Sequence, residues 1–270
     1  MKDVILIDKP AGWTSFDVVA KIRSKIRAEY VAAGEKPTKK QLRVGHAGTL
    51  DPFATGLLVI LLGDACKQAG EFLKLDKSYE FTAKLGEVST TGDPEGVISK
   101  TQNVVSNKRE TQDAVIPDLF TVSLSNLIPD PVKKSKQVET VSNQMESIKI
   151  PTSDDVHKVL RQFTGEITQT PPAYSAIKIN GKRAYKLARE GKRVEVPSRQ
   201  VTIRRLEVTG YEYPYLKCVC DVSSGTYIRS LVEDIGKALK TGAYCTELRR
   251  LRVGAFDISA ATVLDELIIN

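Results

Sequence analysis

The pattern of apolar and polar positions predicts a mixture of short strands and helices. Strands are expected where apolar residues run continuously or alternate with polar ones, at residues 4–7, 57–62, 79–85, 201–208 and 216–222. Helices are expected after start signals at residues 14–17 and 152–155 and over residues 66–75, 226–239 and 261–269. Helical spacing places Phe16 and Val19 on the apolar face of the first helix. Because no regular β-α-β alternation occurs, we expect an α+β fold with a mixed, mostly antiparallel central sheet and flanking helices.

Residues 99–150 differ in composition from the rest of the chain. Ser, Thr, Asn, Gln and Pro make up 22 of these 52 residues, and Phe120 is their one aromatic residue. Such a stretch buries little apolar area to offset the entropy that is lost on ordering. We therefore expect a single domain over residues 1–270 that carries a flexible insertion at about 99–150, with one short ordered piece around 119–127.

Composition excludes several classes of protein. No apolar run approaches the roughly 20 residues that a membrane helix needs, and charge interrupts the N-terminal segment too soon for a secretory signal. The four cysteines have no C-x-x-C spacing and the chain has two histidines, so neither a zinc site nor a disulfide framework is expected. We expect a cytoplasmic protein without a membrane partner.

The balance of charge suggests a polyanionic partner. Lys and Arg total 40 against 33 Asp and Glu, which gives a net charge of +7. Residues 169–200 hold eight basic residues and two glutamates together with Tyr174 and Tyr185. Basic side chains interleaved with aromatic rings can bind phosphates and stack nucleobases. A solvated surface with two core tyrosines explains the same pattern equally well.

The segment around Asp51 is the strongest candidate for chemistry. Asp51-Pro52 alone is a common way to open a turn, but Gly48 and Gly56 flank it and an expected buried strand follows it. A carboxylate on such a rigid support could act as a nucleophile or as an acid–base group. Arg229 lies in the first turn of an expected helix, where the helix dipole disfavours a cation. That position is compatible with pairing to an acid and equally with an ordinary surface arginine.

Four motifs in the same order resemble those of the TruB family of pseudouridine synthases. They are residues 6–15 (LIDKPAGWTS), 45–56 (GHAGTLDPFATG), 171–189 (PPAYSAIKINGKRAYKLAR) and 225–231 (GTYIRSL), followed by Leu248-Arg249-Arg250. The resemblance implies a mixed catalytic fold around a curved sheet with a central cleft. It also implies isomerisation of uridine 55 in the T-loop of tRNA to pseudouridine, with no metal or organic cofactor. The implied partner is tRNA, bound through its T-stem-loop.

The resemblance also assigns roles to individual residues. Asp51 is the implied nucleophile, and it attacks either the ribose C1′ or the uracil C6. Tyr79 is expected to stack on the uracil, and Arg229 is expected to pair with the catalytic acid. RNA or substrate contacts are implied for His46, Lys67, Asp93, Tyr174, Lys178, Lys182 and Arg183. We expect a monomer that needs no obligatory protein partner.

The sequence departs from the family pattern in four places. Thr90 stands where an aspartate is usual, residues 29–41 form a longer segment than usual, and 99–150 is a larger insertion. The chain also stops soon after the last expected helix, so no separate C-terminal RNA-binding domain is expected.

Three alternative functions remain open. A guide-RNA-dependent relative would need that C-terminal domain and partner proteins. An RNA-binding or tRNA-folding protein of the same family would not depend on catalysis, or would act on another RNA, although the presence of Asp51, Tyr79 and Arg229 together argues against an inactive scaffold. A glycosidase would use two carboxylates, such as Asp51 and Asp93.

Overall fold

The computed structural model describes residues 3–101, 150–175, 177–179, 181–184, 187, 190 and 196–267. The predicted insertion lies outside the described residues except at its two ends, and so does the ordered piece predicted around 119–127. At the first end the structure differs from the prediction, because residues 98–100 form a strand.

Regular structure accounts for most of the described chain. The α-helices are α1 (Ser15–Ala32), α2 (Ala69–Leu73), α3 (Ser153–Leu160) and α4 (Ile228–Ala238). The strands are β1 (Val4–Lys9), β2 (Val44–His46), β3 (Thr55–Leu62), β4 (Lys77–Leu85), β5 (Glu87–Ser89), β6 (Ile98–Lys100), β7 (Gly165–Gln169), β8 (Lys178–Ile179), β9 (Lys182–Arg183), β10 (Arg199–Glu212), β11 (Tyr215–Val222), β12 (Ala243–Val253), β13 (Phe256–Asp257) and β14 (Thr262–Val263). Short 3-10 turns occupy Gly63–Gln68, Arg161–Phe163, Ile258–Ala260 and Leu264–Glu266.

Ten of the described strands form one sheet. Its order is β14-β1-β3-β12-β4-β11-β10-β7, with β2 beside β3 and β13 beside β12. The pairs β1–β14 and β3–β12 are parallel, and the other pairs of this sheet are antiparallel. The predicted α+β class with a mixed, mostly antiparallel sheet is therefore confirmed.

Both faces of β3 are buried, which explains why its sequence is apolar without alternation. Leu58 and Ile60 pack in the same core cluster as Ile22 of α1, whereas Leu57 and Val59 belong to a second cluster on the other face. Burying each such side chain contributes about 1.5–3 kcal/mol. The strand begins four residues after Asp51, so it fixes the end of that loop against the core.

Capping boxes begin α1 and α3. Thr14 Oγ1 accepts a hydrogen bond from the Asp17 backbone N–H, and the Asp17 carboxylate accepts one from the Thr14 N–H. Thr152 and Asp155 make the same pair of bonds at α3. The start signals predicted at these two positions are therefore confirmed.

The first helix buries Val19 as predicted, but it does not bury Phe16. Val18, Val19, Ile22 and Ile26 face the core, whereas Phe16 is exposed. Phe16 and Val18 are two positions apart, which is about 200° around the helix. The predicted face therefore included one residue that points away from the core.

Three further predictions about elements are wrong in part or in full. The closing helix predicted at 261–269 is replaced by β14 and two 3-10 turns, because residues 262–263 pair with β1. Residues 66–75 form a 3-10 turn followed by α2 rather than one helix. The strand at 79–85 is buried at most positions rather than on one face. Thr82, on the face opposite Phe81, is also buried, and its hydroxyl donates a hydrogen bond to Glu247 of β12.

Candidate active site

A cleft of about 1230 Å³ opens beside Asp51. Its walls come from residues 46–52, from β4, from residues 90–97 and 174–175, and from residues 222–229, where β11 leads into α4. Five Lys or Arg and three Asp or Glu are among the described residues that line it. This excess of positive charge suits a polyanionic ligand.

The buried ammonium group of Lys9 holds the loop that carries Asp51. Its Nζ donates hydrogen bonds to the carbonyl oxygens of Pro10, Trp13 and Pro52, at 2.8, 2.7 and 3.2 Å. Burial lowers the pKa of Lys9 to about 8, although the charge of Asp51 acts to raise it. Lys9 thus ties the end of β1 to the residue that follows Asp51.

Arg250 of β12 binds a second part of the same loop. Its Nε donates to the Leu57 carbonyl oxygen at 2.7 Å, and its Nη2 donates to the Gly48 carbonyl oxygen at 3.0 Å. Gly56 has a φ of +98°, and a Cβ at this position would lie 2.3 Å from the Arg250 carbonyl oxygen. Both its backbone conformation and this close contact therefore require glycine at position 56.

Ser15 fixes the residue that precedes Asp51. Its hydroxyl accepts a hydrogen bond from the Leu50 N–H at 2.8 Å and donates one to the Leu50 carbonyl oxygen at 3.1 Å. Ser15 is buried and is the first residue of α1. The N-terminus of α1 and the Asp51 loop are therefore joined at this point.

Arg229, in the first turn of α4, lies against two acids. Its Nη1 donates to Asp93 Oδ2 and to the Thr91 carbonyl oxygen, both at 2.8 Å, and its Nη2 donates to the Tyr174 carbonyl oxygen at 2.9 Å. Its Nε lies 3.0 Å from Asp51 Oδ2, without the alignment of a hydrogen bond. The contact with Asp51 is an ion pair, which leaves the carboxylate able to approach a substrate.

The surroundings of Asp51 suit a reactive carboxylate. Its side chain is 35% exposed and faces the cleft. Burial raises the pKa of Asp51 above its ordinary value, the charge of Arg229 lowers it, and the charge of Asp93 raises it. A raised pKa indicates a more basic carboxylate, and perturbed groups of this kind cluster at functional sites.

Tyr79, His46 and Ser175 line the same cleft. Burial, with a smaller contribution from Arg250, lowers the pKa of His46, so its ring is neutral at pH 7. The Nδ1 of His46 and the hydroxyl of Ser175 are buried and have no hydrogen-bond partner within the described part of the chain. Because buried polar atoms are usually satisfied, these two atoms are positions where a substrate can supply hydrogen bonds.

Two of the other predicted contact residues lie at the cleft, but in different settings. Tyr174 lines the cleft, and its backbone carbonyl holds Arg229. Asp93 is buried, and its carboxylate accepts hydrogen bonds from Arg229 and from the Glu95 N–H. The Asp93 carboxylate therefore faces protein groups.

The remaining predicted contacts are four basic residues, one on the turn after β3 and three on the hairpin of β8 and β9. Lys67 is exposed on the turn after β3, with its Nζ 3.1 Å from Asp64 Oδ1. Lys178 lies on β8 and pairs in register with Arg183 of β9, which also carries Lys182. The three basic positions of this hairpin are therefore adjacent along the backbone.

The sequence assigned no role to Lys9, Ser15 or Arg250, which hold the Asp51 loop. All three lie inside motifs that carry the family resemblance, and this placement is the one sequence feature that marks them as functional candidates.

In the described residues, no group of three or more His, Cys, Asp or Glu could hold a metal ion. None of the helices described is both long and apolar enough to cross a membrane.

The fold of this chain, with its large mixed sheet, is shared with solved structures. The crystal structure of a Cbf5-Nop10-Gar1 complex matches 98% of this chain with a TM-score of 0.61 and 25% identity. The structure of an H/ACA RNP bound to a substrate RNA containing 2′-deoxyuridine matches with a TM-score of 0.58 and 23% identity, again over 98% of this chain. The chain spans about half of the chains it matches in those two structures, 53% and 52%.

The family is shown by two family models. The TruB family pseudouridylate synthase N-terminal domain matches residues 36–131 and 126–228, and the tRNA pseudouridylate synthase B C-terminal domain matches residues 229–268. The chain therefore belongs to the TruB family of pseudouridylate synthases.

Curated relatives agree with that membership. A tRNA pseudouridine synthase B of Pseudomonas fluorescens is 37% identical over 98% of this chain and 68% of its own length. Relatives of the same name from Parabacteroides distasonis and Aquifex aeolicus are 36% and 34% identical, over 98% and 99% of this chain and 91% and 74% of their own lengths.

Proposed function

We propose that this chain is a tRNA pseudouridine synthase that converts uridine 55 of the T-loop to pseudouridine. The observation that carries the proposal is the Asp51–Arg229 ion pair at 3.0 Å, placed in a cleft with Tyr79 in a chain of this family. The tRNA pseudouridine synthase B relatives support tRNA as the substrate.

The reaction explains why a carboxylate is needed. The C1′–N1 bond of the nucleoside breaks, the uracil turns while it is still held, and a C1′–C5 bond forms. C5 then loses its proton and N1 takes one up, so the product is an isomer of the substrate. A carboxylate can form a temporary covalent bond and then leave, so Asp51 is the nucleophile, at either the ribose C1′ or the uracil C6. Arg229 offsets the negative charge of the free carboxylate.

The cleft accommodates a nucleotide that has left its stack. Flipping a base out of an RNA loop costs a few kcal/mol, and contacts in the enzyme pocket must offset that cost. Tyr79 offers an aromatic face, and the unsatisfied atoms of His46 and Ser175 offer hydrogen bonds. These contacts would hold the uracil and the nucleotides next to it.

The remaining predicted site residues have three different roles: basic residues attract RNA phosphates, Tyr174 contacts RNA, and Asp93 positions Arg229. Lys67, Lys178, Lys182 and Arg183 contribute the sequence-independent attraction for RNA phosphates. Tyr174 contacts RNA at the cleft. Asp93 acts through Arg229, which it orients, so its predicted role as a substrate contact becomes that of a positioning residue.

The decisive experiment maps pseudouridine to the nucleotide in an unmodified tRNA transcript. Wild-type protein should form product at the T-loop uridine, and Asp51→Asn should form none while still binding the tRNA. Asp265→Asn is the matched control, because this carboxylate is exposed and is not among the lining residues of the cleft. Substantial activity in Asp51→Asn would refute the nucleophile. Binding by the wild-type protein without any product would favour an RNA-binding protein or another RNA target.

The proposal includes a monomer that acts in the cytoplasm without an obligatory protein partner. The solved structures with a similar fold are those of a Cbf5-Nop10-Gar1 complex and of an H/ACA RNP, so those proteins act in assemblies. The family model of the C-terminal region, in contrast, is that of a tRNA pseudouridylate synthase B. Product formation by the purified chain on a bare transcript tests its independence from a protein partner, because a partner-dependent enzyme would be inactive in that assay.

A further inference from the structure

Phe16 is an exposed aromatic side chain at the edge of the cleft. It is 65% exposed, and it lines the cleft beside Thr14 and Ser15. A large apolar side chain in solvent gains from any ligand that covers it. Two other exposed apolar residues, Leu73 and Val97, line the same cleft, so the rim is not uniformly polar.

The backbone of Phe16 is held rigidly with respect to Asp51. Phe16 is the second residue of α1, whose first turn is closed by the Thr14–Asp17 capping box. The residue before it, Ser15, makes two hydrogen bonds to Leu50, the residue before Asp51. Phe16 is therefore linked to Asp51, the proposed nucleophile, through their hydrogen-bonded neighbours Ser15 and Leu50.

We propose that Phe16 is a base-stacking residue for a nucleotide next to the flipped-out uridine. This inference rests on the proposed function, because it takes RNA as the ligand of the cleft. Every nucleobase has a π-face, so an aromatic ring can bind a neighbouring base without reading its identity. The positive lining of the cleft would hold the phosphates while Phe16 holds a base.

The test measures tRNA affinity in the Asp51→Asn background, where the RNA is not converted. Phe16→Ala should raise Kd by about 5- to 150-fold, the range seen when a stacking aromatic is replaced by alanine. Phe16→Trp should restore binding to within a few-fold of the parent, because it keeps an aromatic face. A role in folding alone would not give this rescue, and the thermal midpoint of Phe16→Ala should stay close to that of the parent since the ring is exposed.

Val31→Ala is the matched control. Val31 is 66% exposed on the same helix, about 22 Å along its axis from Phe16, and it does not line the cleft. Its Kd should be unchanged. Equal affinity of Phe16→Ala and the parent would overturn the proposal, and so would equal weakening in the alanine and tryptophan variants. Pseudouridine formation by wild-type protein, measured in parallel, tests the proposed function separately, so the two ideas can fail independently.

Discussion

The side chains of Arg229 and Asp93 form a buried ion pair, with Nη1 2.8 Å from Oδ2 and both side chains 4% exposed. The same guanidinium lies 3.0 Å from Asp51, whose carboxylate reaches the cleft. Asp93 therefore fixes Arg229 inside the protein, whereas Asp51 interacts with the charge of Arg229 at the cleft. The orientation of Arg229 depends on Asp93 more than on Asp51, because only the contact with Asp93 is an aligned hydrogen bond.

Asp93→Asn should lower the free energy of unfolding by about 1.5–3 kcal/mol, because it removes a buried, charged hydrogen-bond acceptor of Arg229, which keeps its ion pair with Asp51. Urea denaturation at neutral pH measures this loss. Product formation should fall as well, since Arg229 would lose the aligned hydrogen bond to Asp93 that orients it.

Asp76→Asn provides the control for that loss. Asp76 Oδ2 lies 2.8 Å from Arg204 Nε, but both side chains are largely in solvent. Exposed pairs are worth about 0–1 kcal/mol, so this variant should be nearly as stable as the wild type. Similar losses in the two variants would mean that burial does not decide the strength of the Arg229–Asp93 pair.

The raised pKa of Asp51 predicts the acid side of the pH–rate profile. The nucleophile must be ionised, so activity is lost as pH falls through its pKa, and a raised pKa moves this limb above the usual value of 3.8. The Asp93 charge raises the pKa and the Arg229 charge lowers it. Asp93→Asn should therefore move the limb of kcat/KM to lower pH, and Arg229→Gln should move it to higher pH. Shifts in the same direction would show that Asp51 is not the titrating group.

The sequence pattern predicts those secondary-structure elements that are determined by neighbouring residues in the chain. The apolar run of β3 and the two capping boxes depend on neighbouring residues, so they could be read directly from the sequence. The strand β12 was missed because Glu247, Arg249 and Arg250 interrupt its apolar residues. That strand contacts β3 and β4 over large sequence separations, which no local pattern contains.

The support of the Asp51 loop shows the same limit. Lys9 and Arg250 are buried cations that bind backbone carbonyl oxygens, and Arg250 reaches Gly48 across 202 positions of sequence. Every residue has a backbone carbonyl oxygen, so the amino-acid sequence does not indicate which carbonyl accepts a hydrogen bond. The motifs therefore include Lys9 and Arg250 but do not predict their partners. The predicted helix at 261–269 failed for a related reason. Leu264 and Leu267 are buried at helical spacing, but pairing of residues 262–263 with β1 determines the backbone there.

Gly56→Ala should be strongly destabilising, by more than about 4 kcal/mol, because a Cβ would lie 2.3 Å from a backbone oxygen of Arg250 and φ is +98°. The Asp51 loop should lose its position, and product formation should fall with stability. Denaturant unfolding and the transcript assay measure the two effects.

Gly34→Ala is the control that separates the cost of backbone strain from the cost of the close contact with Arg250. Gly34 also has a positive φ, of +75°, but nothing lies within 4 Å of the position that a Cβ would occupy. Backbone strain alone costs about 1–2 kcal/mol for an L-residue in this region. If Gly56→Ala is no worse than Gly34→Ala, the close contact with Arg250 does not matter for stability.

The hairpin of β8 and β9 should contribute electrostatic affinity for tRNA without specificity. Its register places Lys178 opposite Arg183, next to Lys182, so three basic residues occupy neighbouring backbone positions. The double variant Lys182→Glu and Arg183→Glu should weaken binding of any tRNA. It should also flatten the plot of log K against log salt by about 0.7–0.9 for each RNA phosphate that the variant no longer neutralises. Lys217→Glu, at an exposed position outside the cleft lining, should change neither quantity. Weaker binding with an unchanged salt slope would mean that the hairpin does not bind phosphates and that its charges act through the fold.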